Sequence, residues 1–96
     1  VYPYNDGMQS RTAPRILIVD DNPPYRHLVA AWLRLAGYHI NEAADGEHAL
    51  VELERQTPIQ PVDLILLDLQ MEPMGGLNFM ERLQGTPFAA IPVVLI

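Results

Sequence analysis

The sequence predicts an α/β domain built as a doubly wound parallel sheet. Three observations carry that reading. Short, strongly apolar runs alternate with segments whose apolar residues recur at helical spacing. The order along the chain is βαβαβαβ, which implies parallel strands joined by right-handed crossovers. Two of the apolar runs end in aspartate, at Asp20-Asp21 and at Asp68. That placement suits the carboxyl edge of a parallel sheet, where ligands bind.

The first strand is expected over residues 15–20, a continuous β-branched and leucine run of the kind buried on both faces. Asn22 is suited to cap the following helix and Pro23 to its first position, where a missing N–H costs nothing. Leu28, Trp32 and Leu35 recur at helical spacing, with Val29 and Ala36 beside them, and read as packing residues. Gly37 ends that helix. Residues 38–43 form a shorter strand of mixed polarity that fits a sheet edge. Asp45-Gly46 turns the chain into a second helix reaching about Arg55, with Ala49, Leu50 and Leu53 inward. Pro58 and Pro61 punctuate the loop before a third strand over 62–68. Gly75-Gly76 opens a third helix carrying Leu77, Met80 and Leu83. Pro87 and Pro92 bracket the approach to a fourth strand over 91–96.

Composition narrows the function classes. With 96 residues the chain makes one small domain, and a hydrophobic content of 49% is ample for a core. A net charge of −6 disfavours direct binding to nucleic acid. The chain has no cysteine, which excludes disulfides and thiolate metal sites and fits a cytoplasmic location. No apolar run approaches the roughly 18 residues that suggest a membrane span. Its six basic residues are all arginine. Residues 1–14 show no helical or strand period and are expected to be a leader or linker, so the folded domain is expected over 15–96.

Asp20, Asp21 and Asp68 are the candidate site residues. If the first and third strands are neighbours about 4.8 Å apart, their carboxylates converge. Three like charges repel unless a cation neutralises them. Taken singly, Asp20-Asp21 would pass for a helix-capping pair and Asp68 for a turn residue. The scattered His27, His39 and His48 lack metal-ligand spacing and read as surface residues. Met71, Met74 and Met80 read as core and loop packing, and Glu52, Glu54 and Arg55 as a solvated helix face.

Residues 15–96 resemble the response regulator receiver domain of two-component signalling. The resemblance rests on Val19-Asp20-Asp21-Asn22, on Glu42-Ala43-Ala44-Asp45-Gly46-Glu47-His48-Ala49-Leu50, and on Asp68 through Gly76. It implies a flavodoxin-like sheet of order 2-1-3-4. It also implies a magnesium ion, or manganese in its place, held by Asp21 and Asp68 directly, by Asp20 through water, and by the Gln70 backbone carbonyl. Asp68 would be the phosphoacceptor, and a histidine kinase or histidine phosphotransfer protein the partner. Such a module is a signalling domain rather than an enzyme with turnover. The stretch Asp21 to Arg26 is also similar to receiver modules carried by hybrid kinases.

Two departures stand in the loop after Asp68. Glu72 occupies the usual proline position, with proline one place later at Pro73, and Gly75 replaces a residue that is often polar. The family's serine or threonine after the fourth strand, its lysine after the fifth and its final helix fall beyond Ile96. The chain therefore reads as truncated, with expected consequences of slower phosphorylation, impaired switching, and a homodimer formed through the exposed fourth strand or an uncovered sheet face. The runner-up function is a pseudo-receiver interaction module. A small phosphatase-like hydrolase is weaker, because no second catalytic acid is evident.

Overall fold

The computed structural model describes residues 13–71 and 75–96. Most of the leader, with Tyr2 and Tyr4, and the loop residues Glu72, Pro73 and Met74 lie outside the described residues. The elements follow as β1 (Arg15–Val19), α1 (Pro23–Leu35), β2 (His39–Ala43), α2 (Gly46–Glu54), β3 (Leu64–Leu67), α3 (Gly76–Gln84) and β4 (Val93–Leu95). All strand pairs are parallel and the sheet order is β2-β1-β3-β4, as the sequence implies.

β1 is one of the two central strands and serves both faces of the sheet by alternation. Leu17 and Val19 point into the larger core with Ala49 and Leu53 of α2, Ile65 and Leu67 of β3, and Phe79 and Leu83 of α3. Ile16 and Ile18 point the other way, toward Ala30 of α1 and Ile40 of β2. Among the described residues fifteen hydrophobic side chains are buried, and they form two apolar layers.

β3 and β4 are shorter than their apolar runs, but the ladder extends past both. Asp63 N–H donates to the Arg15 carbonyl at 2.8 Å, Asp68 N–H to Val19 at 2.9 Å, and Ile96 N–H to Leu67 at 2.9 Å. The difference is one of strand boundaries, which shift by a residue or two with the criterion.

The helix ends obey the local chemistry. The Asn22 side chain accepts from Tyr25 N–H at 3.0 Å, and Asp45 accepts from His48 N–H at 2.8 Å. Gly37 closes α1 at φ 102°, a left-handed conformation that glycine adopts without steric cost, while Tyr38 N–H reaches back to the Leu33 carbonyl.

Two helix faces differ from expectation. In α1 the stripe of Leu28, Trp32 and Leu35 is turned outward, and Trp32 is 66% exposed. The helix lies over β2 and β1 on the adjacent stripe of Val29, Ala30 and Leu33, of which Ala30 is fully buried. In α3, Leu77 is exposed at 68% while Phe79 is fully buried. Periodicity finds an apolar stripe, but it does not say which of two neighbouring stripes the sheet will take.

Candidate functional site

The site stands at the carboxyl edge of the sheet, where the connections from β1 and β3 depart in opposite directions to β2 and to β4. Asp20 follows β1 and is only 3% exposed, with its N–H bonded to the Ala43 carbonyl of β2 at 3.1 Å. Its carboxylate accepts from Asn22 N–H at 3.0 Å. Asp21 is exposed, and Asp68 is half-buried at the end of β3. The three residues offer carboxylate oxygens that all lie within 4.8 Å of one another. Residues 47 positions apart in sequence thus meet because β1 and β3 are paired in register, Val19 beside Leu67.

Below the cluster is a hollow of about 180 Å³ lined by Asp20, Asn22, Tyr25, Asp68 and Ile96. None of these is basic. Burial pushes the Asp20 carboxyl above its ordinary range; the Asn22 N–H opposes that rise, and the neighbouring Asp68 and Asp21 charges add to it. A buried acid held beside two more acids fits a hard divalent cation, which takes oxygen ligands and keeps part of its water shell. Gln70 is fastened to the cluster by its N–H, which donates to Asp68 Oδ1 at 2.9 Å.

The loop after Asp68 is shaped by a close approach of α3. A Cβ on Gly76 would stand 2.7 Å from the Leu69 Cα and 2.9 Å from the Asp68 carbonyl oxygen. Any side chain there must displace the peptide that carries Asp68, so glycine at this position sets the depth at which α3 docks.

The histidines stay apart from the cluster, as the sequence suggests. His27 bonds Glu42 at 2.7 Å, His48 bonds Asp45 at 2.8 Å, and neither lines the hollow. One pair went unseen in the sequence. Arg26 reaches from α1 to Glu42 at 3.0 Å and to the Asp20 carbonyl at 2.8 Å. Nothing in a spacing of 16 residues announces that contact.

The family model for the response regulator receiver domain matches residues 16–96. The chain belongs to that family. A gliding motility regulatory protein of Myxococcus xanthus is 40% identical over 83 residues, which is 85% of this chain and 10% of that protein. The sensor kinase/phosphatase CqsS of Vibrio cholerae is 34% identical over 88 residues, 90% of this chain and 12% of that protein. The probable transcriptional regulator TcrX of Mycobacterium tuberculosis is 33% identical over 81 residues, 84% of this chain and 32% of that protein. The receiver chain thus spans a third or less of these relatives' lengths. Among solved structures, a receiver protein from Pseudomonas putida aligns with a TM-score of 0.81 at 27% identity, covering 88% of this chain and 68% of the other. The chemotaxis protein CheY4 of Vibrio cholerae aligns at 0.78 and 28% identity with the same coverage. Receiver domains are signalling modules of two-component systems, and they work with histidine kinases or phosphotransfer proteins. No helix among the described residues is long and apolar enough to cross a membrane.

Proposed function

We propose that this receiver domain takes a phosphoryl group on Asp68 from a histidine kinase or a histidine phosphotransfer protein. The observation that carries the reading is the convergence of Asp20, Asp21 and Asp68 within 4.8 Å above an open hollow. Asp20, Asp21, Asp68 and the Gln70 carbonyl would hold Mg²⁺, or Mn²⁺ in its place. The ion would spread the charge that gathers on the phosphoryl oxygens. An Asp68 carboxylate oxygen attacks phosphorus, the P–N bond of the donor phosphohistidine breaks, and its electron pair leaves with the imidazole nitrogen. The product is an acyl phosphate on Asp68. The intact acidic triad argues against the pseudo-receiver alternative.

Incubation with acetyl phosphate and Mg²⁺ tests this. The wild-type chain should gain the mass of one phosphoryl group, and Asp68→Ala none. Removing the metal should slow the gain by on the order of a hundredfold, as when a main stabiliser of transition-state charge is lost. Equal labelling of wild type and Asp68→Ala would end the proposal.

The exposed apolar surface supports self-association of this chain. Tyr25, Leu28, Trp32 and Leu35 form one outward stripe on α1, and Val94, Leu95 and Ile96 are each about half exposed at the β4 edge. Leaving such side chains in water forgoes roughly 1.5–3 kcal/mol apiece relative to full burial. Two copies meeting through the α1 stripe or through the β4 edge would cover one or the other of these surfaces. Sedimentation should show a dimer at tens of micromolar that Trp32→Glu weakens if the α1 stripe is used. A concentration-independent monomer would refute self-association.

A further inference from the structure

Arg26 lies in the first turns of α1 with its side chain 11% exposed, yet it belongs to neither apolar core. Its guanidinium forks between two partners. Nη1 donates to the Asp20 carbonyl oxygen at 2.8 Å, and Nε donates to Glu42 Oε1 at 3.0 Å. Glu42 immediately precedes Ala43, whose carbonyl accepts the Asp20 N–H at 3.1 Å. Asp20 is therefore tied to the end of β2 from both sides of its own residue, once directly and once through Arg26. Its side chain is pinned separately by the Asn22 N–H.

Glu42 is itself anchored. Besides Arg26 it takes a bond from His27 at 2.7 Å and lies 3.6 Å from Arg34. Burial works against its charge, but the bonds from His27 and Arg26 outweigh it and hold the carboxyl below its usual range. The carboxylate is thus a fixed post rather than a mobile surface charge.

We propose that Arg26, held by Glu42, is a positioning residue that keeps Asp20 in the carboxylate cluster against the repulsion of Asp21 and Asp68. The inference rests on the reading of those three aspartates as cation ligands. Arg26 bonds the backbone oxygen of Asp20, so it orients the residue while leaving the carboxylate available. Groups that orient a ligand from outside the metal's own coordination sphere are worth about 10–100-fold in metal affinity.

The sign of the effect separates this role from plain electrostatics. A guanidinium near a cation site repels the cation, so on charge alone its removal would tighten binding. Loss of positioning weakens it. The measurement is Mn²⁺ affinity of the full chain, read from the free-ion electron paramagnetic resonance signal, with each variant shown to be folded by circular dichroism. Arg26→Met is expected to bind Mn²⁺ about tenfold more weakly than wild type. Arg26→Lys should recover only part of the loss, since an ammonium lacks the planar fork that reaches both partners. Unchanged or tighter binding by Arg26→Met overturns the proposal. If that variant does not fold, Arg26→Lys decides, and wild-type affinity there overturns it equally. An Asp21→Asn control should abolish binding. Absence of Mn²⁺ binding by the wild-type chain would instead bring down the cation reading itself.

Discussion

Phe79→Ala is expected to cost about 3–5 kcal/mol of folding stability, the range for removing a fully buried aromatic ring. Phe79 is completely buried as a member of the larger of the two apolar layers. Typical domains have only ~5–15 kcal/mol to lose, and domains this short tend toward the lower end. The variant should therefore be largely unfolded at 37 °C, with a urea midpoint that collapses at an unchanged slope. Leu77→Ala, two residues away and 68% exposed, should stay within about 0.5 kcal/mol of wild type. A comparable loss for both would show that the packing of α3 is not as described.

The second large effect joins pH, metal and stability at Asp20. Its folded pKa is raised, mainly by burial, so the folded chain binds the Asp20 proton more tightly than the unfolded chain does. Asp20 therefore favours the fold fully below the ordinary aspartate pKa of 3.8, and that contribution disappears as pH rises through the raised value. At neutral pH the ionised, buried Asp20 carboxylate works against folding. Glu42 and Asp45 act in the opposite sense, because their pKa values are lowered. Their contribution is present above the unfolded values and is lost as pH falls. Comparing wild type with Asp20→Asn isolates the first effect. In metal-free buffer the variant should be more stable at pH 7, and the advantage should vanish in acid. A cation at about a hundred times its Kd should restore about 2.7 kcal/mol to wild type and far less to the variant. Thermal unfolding with and without Mg²⁺ across pH 4–8 measures all of this; no gain from Asp20→Asn without metal would contradict it.

Much of this site was legible because it depends on strand ends. Ile16 to Val19 and Leu64 to Leu67 are apolar enough to be strands in any context, and a parallel sheet then brings Asp20, Asp21 and Asp68 to one edge. The caps at Asn22, Asp45 and Gly37 are equally local, since each is decided by bonds or torsions within a few residues. What escaped depends on how elements meet. The sheet took Ala30 and left Trp32 outside, and it took Phe79 and left Leu77 outside, because the angle of helix docking, not the count of apolar residues, selects the face. Arg26 and Glu42 belong to the same class. Each is an ordinary charged residue on its own element, and their bond exists only once α1 is laid against β2.

The two apolar layers are unequal, and this has a consequence for how the molecule breathes. α1 is the longest helix, with 13 residues, yet Ala30 is its sole buried one. α2 and α3, with 9 residues each, bury three apiece. The cheapest opening of the native state is then a lifting of α1 while the rest of the sheet stays closed, a cooperative unit with its own, smaller unfolding free energy. Amide protons of α1 should exchange with deuterium well before those of β1, and equal protection across both would deny such a unit. Because Arg26 of α1 lets go of the Asp20 carbonyl when the helix lifts, a cation held by the three aspartates would slow exchange in α1 most of all. The loosest helix of the domain would then be the one that reports whether the site is filled.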